Sequence, residues 1–530
     1  MFPIDMNKLR ENPDLYREVF KKRFIEGGDK LVERALELDE KRKSIQKKLD
    51  FLRSMLNKYS KAIGVLKMLF SGKISKEEAL EKLKDVLENP EKYLDDDGEV
   101  LLKEEILKTK QQIVELEEEF KKVTQELVDV LYKFPNFVDP QVPIGPDDSY
   151  NVPVKFWGVP KVWNKHLDSF REQTERYGFT IVELGKILEE HSEYIKDIKM
   201  LNQVYETLKS GGAVDINFND VLDFEKLNSD KIIPYVLIET EPKHHYDLVK
   251  EFDLADTDKA GKIAGSRFYF EKNELVMLDL ALSLYGMEFY RSLGYNLMLI
   301  PPYMIRKDVE SKITYYEAFK EAIYHVVEDN LILITTSEHP ICAYYMDETL
   351  EEEKLPLKIL AWSPAFRKEA GAHGKDTKGI FRTHQFHKVE LHIICKLEED
   401  KKYLQELVDA FEKFMQSLNL PYRLVLLSSG DMDKRATIQY DIEAWFPGQG
   451  SYRELGSIAT MSDWVSRKIN IKVRTKQGSK YVANLYSTGC AVQRTICCIL
   501  ENYYSHKDDK ILVPSPLKYY TKISEIKKQE

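Results

Sequence analysis

The chain reads Phe366-Arg367-Lys368-Glu369-Ala370-Gly371, continues through Gly374-Lys375-Asp376-Thr377, and resumes as Phe381-Arg382-Thr383-His384-Gln385-Phe386-His387-Lys388-Val389-Glu390. Apolar flanks on either side of a Gly/Lys/Asp loop predict a β-hairpin. Arginine forks bind phosphate oxygens in two-point geometry and stay charged, so Arg367 and Arg382 beside Phe386 favour a nucleotide triphosphate lying across a sheet. A charged hairpin on a solvent-facing sheet edge is the simpler alternative.

Other segments of the chain carry patterned apolar residues or polar side chains that would complete such a site. In chain order they are residues 264–270; an amphipathic helix with Leu275, Leu278, Leu282, Tyr285, Phe289 and Leu293, stopped by Gly294; a buried strand over 295–300 ended by Pro301-Pro302; residues 336–339 after the apolar run 331–334; residues 441–445 leading to Glu454 and Ser457; and Thr488, Ala491, Arg494 and Thr495, which open a helix through Asn502. Each element alone would be ordinary core structure. Together, in this order, they resemble motifs 1 to 3 of the class II aminoacyl-tRNA synthetases, in the archaeal and eukaryotic form of the seryl-tRNA synthetases.

The resemblance implies an α+β fold. Its catalytic domain, an antiparallel sheet flanked by helices, would span residues 139–530, with an insertion or connection at about 160–235. Motif 1 is the dimer element of the class, so the resemblance also implies a homodimer. The implied reaction activates serine with ATP and Mg2+ and transfers it to tRNA(Ser).

The resemblance also assigns roles to individual residues, with Arg367 and Arg494 as the catalytic pair. Arg367 would hold the α-phosphate of ATP and the amino acid carboxylate, and Arg382 and Arg494 would hold the outer phosphates. Phe386 would stack on adenine, with Arg494 on the other face of the base, and Glu369 would also contact ATP. Glu454 and Ser457 would bind Mg2+. For serine, Thr336, Glu338 and Glu390 would receive the ammonium and hydroxyl groups, with Arg367 on the carboxylate and Thr488 close to the hydroxyl.

The first part of the chain shows two apolar seams with alternating spacings of three and four residues. One seam holds Leu38, Ile45, Leu49, Leu52, Leu56, Tyr59, Ile63 and Leu66, and the other holds Leu102, Ile106, Thr109, Ile113, Leu116, Phe120, Val123, Leu127 and Val130. Such spacing is typical of coiled coils. Between the seams, a short helix is predicted at 76–87, and Asn89-Pro90 and residues 95–98 turn the chain. We therefore predict an antiparallel two-helix arm within residues 1–138, with a dimerising coiled coil as the alternative.

In seryl-tRNA synthetases an arm of this kind holds the tRNA, and the resemblance implies the same role here. A row of basic residues flanks the first seam and could follow phosphates without reading sequence: Lys47, Lys48, Arg53, Lys58, Lys61 and Lys67. Residues 117–119 are three glutamates on the returning helix and would repel RNA, so we expect only one face of the arm to bind. The alternative is that these lysines lie on a solvent-exposed helix face and form salt bridges with neighbouring acidic residues.

Composition limits the class of protein. The 530 residues exceed one ordinary domain, and a 43% hydrophobic content is ample for a core. The N-terminus lacks a basic-then-apolar signal and no run approaches a membrane span, so the sequence predicts a cytoplasmic protein without membrane contact. A net charge of −10 means that any RNA must meet a local basic surface. Five cysteines without a Cys-x-x-Cys spacing indicate reduced core thiols; zinc bound by His244, His245 and Cys342 is a weaker alternative.

Two departures from the family pattern leave a second function open. The stretch 458–465 differs from the family's Ser-Cys-Ser-Asn element, and Tyr486 stands where the family has a small amide that recognises the serine hydroxyl. An unpaired polar group in a substrate typically costs about 1 to 3 kcal/mol. The alternative is therefore a paralogue with altered or lost serine specificity, acting as an RNA-binding or regulatory module or charging another carrier.

Overall fold

The computed structural model describes residues 2–95, 97–316, 320–369 and 378–528. The chain divides into two compact units. One comprises Phe2–Phe20 with Glu26–Phe134, and the other comprises Lys21–Ile25 with Pro135–Glu530. Residues 370–377, which include the predicted hairpin turn, lie outside the described residues.

Helices build the first unit. They are α1 (Met6–Glu11), α2 (Pro13–Lys22, whose last two residues belong to the other unit), α3 (Gly28–Phe70), α4 (Lys76–Lys84) and α5 (Gly98–Leu131). Lys41 of α3 pairs with Glu119 of α5 at 2.8 Å, and Arg53 pairs with Glu117 at 2.7 Å. The residue numbers rise along α3 as their partners' numbers fall along α5, so the two helices are antiparallel, which confirms the predicted two-helix arm.

The predicted seams hold the arm together. Leu38, Ile45 and Leu49 on α3 and Ile113, Val123 and Leu127 on α5 are buried. At the tip, the Ser75 hydroxyl accepts a hydrogen bond from the Glu78 amide while the Glu78 carboxylate accepts one from the Ser75 amide, a reciprocal cap that starts α4. The helix predicted at 76–87 ends three residues earlier, at Lys84.

The second unit is organised around one large sheet, to which the described residues contribute eight strands. These are β1 (Val152–Trp157), β2 (Leu297–Leu299), β3 (Leu357–Phe366), β4 (Gln385–Cys395), β5 (Tyr422–Leu426), β6 (Ile438–Phe446), β7 (Ser451–Thr460) and β8 (Ala483–Ala491). Across the sheet the order is β1-β5-β6-β7-β8-β4-β3-β2. All neighbours are antiparallel except β2 and β3, which are parallel. The α+β class and the antiparallel sheet are thus confirmed.

The second unit also contains helices. They are α6 (Leu167–Glu175), α7 (Leu184–Glu190), α8 (Ile198–Lys209), α9 (Phe224–Ser229), α10 (His245–Glu251), α11 (Thr257–Ala264), α12 (Glu274–Ser292), α13 (Lys307–Ile313), α14 (Glu338–Cys342), α15 (Asp400–Ser417), α16 (Trp464–Ile469), α17 (Val492–Tyr503) and α18 (Ser515–Thr521). The amphipathic helix α15 buries Leu404, Leu407 and Phe411 where it packs on β7 and β8. This packing holds rigid the strands that carry the site.

Smaller sheets complete the unit. Their strands are Lys161–Trp163, Thr180–Glu183 and Ile232–Ile238; Ala255–Asp256 and Phe270–Glu271; Met304–Arg306, His325–Val326 and Leu331–Leu333; Thr349–Glu351, Lys472–Thr475 and Gly478–Tyr481; and Tyr504–Ser505, Lys510–Leu512 and Glu525–Lys527. The first three form a parallel sheet with α6 to α9 around it. This small α/β layer occupies the region of the predicted insertion.

The strand of motif 1 departs from the prediction. The sequence predicts a buried strand over 295–300, but β2 covers only Leu297–Leu299 and forms one edge of the large sheet. Met298 is 40% exposed and Ile300 is 68% exposed. The prediction of burial is wrong for the single chain. A run of apolar residues shows that the segment is hydrophobic, but it does not show which other part of the fold covers it.

All five cysteines lie in the described part of the chain, and each is buried and free of disulfide bonds, which confirms the reduced core thiols. Among the described residues, we find no helix with the length and apolar character that crossing a membrane requires.

Candidate active site

A cavity of about 420 Å³ opens where the ends of β3 and β4 meet β7, β8 and the start of α17. Every predicted site residue except one lines it: Thr336, Glu338, Arg367, Glu369, Arg382, Phe386, Glu454, Ser457, Thr488 and Arg494. The exception, Glu390, lies behind the wall, where its carboxylate accepts a hydrogen bond from Thr336 Oγ1 at 2.6 Å. The structure therefore brings the predicted residues together around one cavity.

The hairpin strands place the first arginine. Strands β3 and β4 pair in the register Phe366 with Gln385, so Arg367 leaves the sheet where this pairing ends. Its Nε donates to the Thr335 carbonyl oxygen at 3.1 Å, and its guanidinium carbon lies 5.3 Å from the centre of the Phe386 ring. The side chain is thus anchored at one nitrogen, and it lines the cavity.

The segment before motif 1 braces the same hairpin. Arg267, which has a positive φ of 63°, donates from Nη1 to the Glu369 carbonyl oxygen at 2.7 Å. The His384 amide donates to the Arg267 carbonyl oxygen at 3.2 Å. Arg382 Nη1 lies 3.5 Å from the Glu369 carboxylate. The sequence alone assigned no role to residues 264–270; in the structure they fix the hairpin arms.

Arg494 enters from the first turn of α17. Its Nη1 lies 3.3 Å from the Glu454 carboxylate and donates to the Glu454 carbonyl oxygen at 3.1 Å. Its guanidinium carbon lies 5.1 Å from the centre of the Phe381 ring. Burial and the neighbouring Arg494 lower the pKa of Arg367. Two guanidinium groups thus share one cavity, an arrangement that an anionic ligand would relieve.

Phe381 was not among the predicted site residues. Phe381 is buried, and both Arg494 and Arg453 lie over its ring. The guanidinium carbon of Arg453 is 5.2 Å from the centre of the Phe381 ring. The sequence offered one signal, its place immediately before Arg382 in the hairpin. In the structure Arg494 stacks on Phe381 and Arg367 on Phe386, so the adenine sandwich between Phe386 and Arg494 stays a prediction.

Oxygen-bearing side chains converge on β6 and β7. Asp441 and Ser457 are direct cross-strand partners, and Glu454 lies further along the same strand as Ser457. Burial opposes ionisation of Glu454, but Arg494 and Arg367 outweigh it and lower the pKa of this carboxyl. Burial and the nearby Glu454 carboxylate raise the pKa of Asp441 well above its usual range. Carboxylate and hydroxyl oxygens suit Mg2+, and a cation here would offset the crowded negative charge.

At the other end of the cavity lie the predicted serine contacts. Glu390 forms an ion pair with Lys388 besides accepting from Thr336. Burial raises the pKa of Glu390, an effect that Lys388 opposes. Thr488 Oγ1 accepts a weak hydrogen bond from the Ser457 amide at 3.4 Å. Only a glycine fits at position 456, because a Cβ there would come within 2.4 Å of the Thr488 side chain.

Asp433 and Arg435 of this end were among the lining residues that sequence reasoning missed, as was Gln493, whose side chain contacts Glu271 and Asp279. Arg435 donates to the Glu338 carboxylate at 2.9 Å across 97 residues of sequence. A contact of such range leaves no local pattern in the sequence. Tyr486, known from the sequence only as a departure from the family, also lines the cavity.

The weaker zinc alternative finds no support in the geometry. His245 Nδ1 lies 2.8 Å from the Glu501 carboxylate, whereas the Cys342 sulfur lies 3.8 Å from His392 Nδ1. Over the ranges that the structure describes, no group of three or more His, Cys, Asp and Glu side chains could hold a metal ion.

Comparison with known proteins places this site in a family. The family model of the class II tRNA synthetase core domain (G, H, P, S and T) matches residues 322–503, and that of the seryl-tRNA synthetase N-terminal domain matches residues 4–99. Serine–tRNA ligase from Staphylothermus marinus is 39% identical over 74% of this chain and 75% of its own length. The Desulfurococcus amylolyticus enzyme of the same name is 36% identical over 97% of this chain and 95% of its own.

A solved structure agrees with these relatives. The crystal structure of seryl-tRNA synthetase from Pyrococcus horikoshii complexed with ATP is 34% identical, covers 99% of this chain and 100% of its own, and superposes with a TM-score of 0.77. The near full-length matches support the main prediction of function and not the paralogue alternative. The chain belongs to the serine–tRNA ligase family, the class II aminoacyl-tRNA synthetases that join serine to its tRNA.

Proposed function

We propose that the cavity activates serine with Mg-ATP through the residues predicted from the sequence, and that the two-helix arm holds tRNA(Ser). The observation that carries this proposal is the convergence of Arg367, Arg382 and Arg494 with Phe386 on one cavity. The relative of known structure was crystallised with ATP, which supports ATP as the nucleotide here.

The phosphate end of the cavity works by charge and position. Attack of the serine carboxylate on the α-phosphate requires the two groups in line, and negative charge then develops on the departing pyrophosphate. Arg367 is held at Thr335 and is suited to bridge the carboxylate and the α-phosphate. Arg382 and Arg494 line the same cavity and would neutralise the outer phosphates. No covalent intermediate with the protein is needed; in-line positioning and preorganised positive charge would lower the barrier.

We assign the metal site to Glu454 and Ser457, as the sequence predicted, with Asp441 beside them. Mg2+ bound there would neutralise charge on the phosphates of ATP. Arg494 keeps the Glu454 carboxyl ionised and ready to receive the cation, since its charge lowers the pKa of that group against the effect of burial.

The serine end supplies polar groups for a small zwitterion. Thr336, Glu338 and Glu390 would receive the ammonium and hydroxyl groups, and Thr488 lies on the same cavity wall as Ser457. Tyr486 does not present an unsatisfied hydroxyl to the substrate, because that hydroxyl donates to Asp433 at 3.3 Å. The terminal adenosine of the tRNA would then attack the adenylate.

Binding of ATP tests the phosphate assignments. Arg382→Ala removes one charge-assisted phosphate contact, typically worth about 1.5 to 3 kcal/mol, so we expect Mg-ATP binding to weaken by about 10-fold or more in calorimetry. The control is Arg474→Ala, which removes an arginine that is 67% exposed and pairs only at the surface with Glu351. Unchanged ATP affinity in a folded Arg382→Ala protein, or no ATP binding by the wild type, would contradict the assignment.

An uncovered apolar face supports a homodimer. On α12, Met277, Leu280 and Leu284 lie on one helix face and are 41%, 52% and 55% exposed, and Met298 of the edge strand β2 and Ile300 just after it are also exposed. Large exposed apolar patches mark interaction sites, and a two-fold contact would be self-complementary. The face therefore fits the dimer that motif 1 implies.

The arm has a cationic surface for tRNA. All six basic residues of the predicted row are exposed on α3: Lys47, Lys48, Arg53, Lys58, Lys61 and Lys67. Arg53 forms an ion pair with Glu117, and Lys41 forms one with Glu119, both between α3 and α5. Pairing offsets the charge of these two glutamates among the three that the sequence predicted would repel RNA. A reduced thiol complement and a tRNA substrate both favour a cytoplasmic location.

A further inference from the structure

An ion cluster forms the floor of the cavity at its serine end. Arg435, in the loop between β5 and β6, is only 2% exposed. Its Nε and Nη2 donate to the Asp433 carboxylate at 2.9 and 2.6 Å, and its Nη1 donates to Glu338 Oε1 at 2.9 Å. One buried guanidinium thus ties the loop to the first residue of α14, which carries a predicted ammonium contact.

Tyr486 completes the cluster from β8. The guanidinium carbon of Arg435 lies 5.5 Å from the centre of the tyrosine ring, and the tyrosine hydroxyl donates to Asp433 Oδ2 at 3.3 Å. Tyr486 and Thr488 are two residues apart on one strand, so they share a face, and both line the cavity. The aromatic ring therefore supports Arg435 next to the wall assigned to serine.

Arg435 controls the charge of Glu338. Burial by itself would raise the pKa of Glu338, because a carboxylate without a counter-charge is disfavoured away from water. The positive charges of Arg435, His339 and Lys388, with Arg435 contributing most, outweigh burial and the nearby Asp433 and lower this pKa, so Glu338 is an anion at neutral pH. Because Arg435 contacts only Oε1, the second carboxylate oxygen is not needed for this contact and can face a bound ammonium.

Arg435 is itself held ionised and fixed. Burial opposes its charge, but Asp433 and Glu338 outweigh that effect and raise its pKa well above the usual value. The two contacts to Asp433 also set the direction of the guanidinium plane. A rigid cation in this position can orient the Glu338 carboxylate as well as ionise it.

We infer that Arg435 is a positioning residue for the amino acid substrate: held by Asp433 and Tyr486, it keeps Glu338 oriented and ionised to receive the ammonium group of serine. The inference rests on the proposed function, since it concerns the same cavity. On this inference, Tyr486 is tolerated at this position because it supports the ion cluster, not because it contacts the substrate directly.

The test is steady-state ATP–pyrophosphate exchange, with serine and ATP varied in turn, on three variants of the full-length chain. Arg435→Met removes the charge but keeps bulk, and we expect the KM for serine to rise about 10-fold to 100-fold while the KM for ATP stays within about 2-fold. Arg435→Lys restores the charge without the fork and should recover part of the loss. Tyr486→Phe keeps the ring and should change the KM for serine by no more than about 3-fold.

A pH profile separates positioning from a general packing role. Without Arg435, burial should raise the pKa of Glu338, so the side chain should be protonated up to a higher pH. The acidic limb of the pH profile of kcat/KM for serine should therefore move toward neutral pH in Arg435→Met and return toward the wild-type position in Arg435→Lys. The surface variant Arg474→Met should leave every parameter unchanged.

The outcomes are distinguishable. If the wild type shows no serine-dependent exchange, the proposed function fails before the inference is reached. If the wild type is active and a folded Arg435→Met keeps the wild-type KM for serine, or raises both KM values equally, the inference is overturned. Should Arg435→Met not fold, Arg435→Lys decides: a selective rise in the KM for serine of about 3-fold or more supports the inference, and wild-type kinetics contradict it.

Discussion

Replacing Glu271 by glutamine should make the protein more stable at alkaline pH and change little at acidic pH. Glu271 lies beside Asp279 of α12, and both accept hydrogen bonds from the Gln493 amide group, the first at 3.1 Å. Burial and the Asp279 carboxylate raise the pKa of Glu271 from 4.5 to about 7. Glutamine keeps the shape of the side chain but cannot ionise.

The sign follows from proton binding. Between pH 4.5 and about 7 the folded chain holds a proton on Glu271 that the unfolded chain has released, so stability falls as pH rises through this window. At about 1.4 kcal/mol per pKa unit, the rise from 4.5 to about 7 corresponds to an upper limit of about 3.5 kcal/mol. The variant avoids this cost, and at pH 8 we expect it to be more stable by about 1 to 3 kcal/mol, or about 1 to 3 °C in Tm.

Thermal unfolding at a fixed scan rate, in buffers from pH 5 to pH 8.5, measures the effect. The difference in Tm between Glu271→Gln and the wild type should be small at pH 5 and grow toward pH 8. The pair of His387 and Asp279, at 2.8 Å, is present in both proteins and largely cancels. The exposed Glu398 provides the matched control, Glu398→Gln, which should show no such growth. A difference that is constant with pH, or a variant less stable at pH 8, would refute the reasoning.

Three further outcomes are expected. Leu284→Glu places a charge on the exposed apolar face of α12 and should give a monomer in sedimentation at micromolar concentration, whereas Leu107→Glu, at a site on α5 that is 66% exposed, should leave the mass unchanged. Deletion of residues 40–130 should spare serine activation and abolish transfer to tRNA; loss of activation in a folded, dimeric product would show that the arm belongs to the catalytic body. Affinity for tRNA should fall by roughly one log unit per log unit of added salt for each phosphate that the lysines neutralise, and binding indifferent to salt would exclude the lysine surface.

The features that could be predicted from the sequence are those with a local pattern. The seams of the arm repeat every three or four residues, and the strands on either side of Arg367 and Arg382 are close together in the chain, so each follows from a short stretch of sequence. Helix α12 was predicted to within one residue at each end, since Gly294 with its positive φ of 96° marks where it stops.

What could not be predicted depends on contacts between distant parts of the chain. The pairing of Arg435 with Glu338 and the stacking of Arg494 on Phe381 join segments whose separation hides any pattern. The exposure of Met298 depends on what packs over the sheet edge rather than on the strand itself. The tyrosine at position 486 looked unfavourable in sequence because its partners, Asp433 and Arg435, become visible only in the fold.

Amino acid-dependent ATP–pyrophosphate exchange tests the central claim most directly. The purified protein is assayed with Mg-ATP, pyrophosphate and one amino acid of a panel at a time. Exchange between ATP and pyrophosphate should occur when the amino acid is serine. Alanine lacks the hydroxyl group and should leave the polar groups of the cavity unpaired, so its kcat/KM should be lower by at least about 100-fold. No exchange with serine, or faster exchange with another amino acid, would contradict the account.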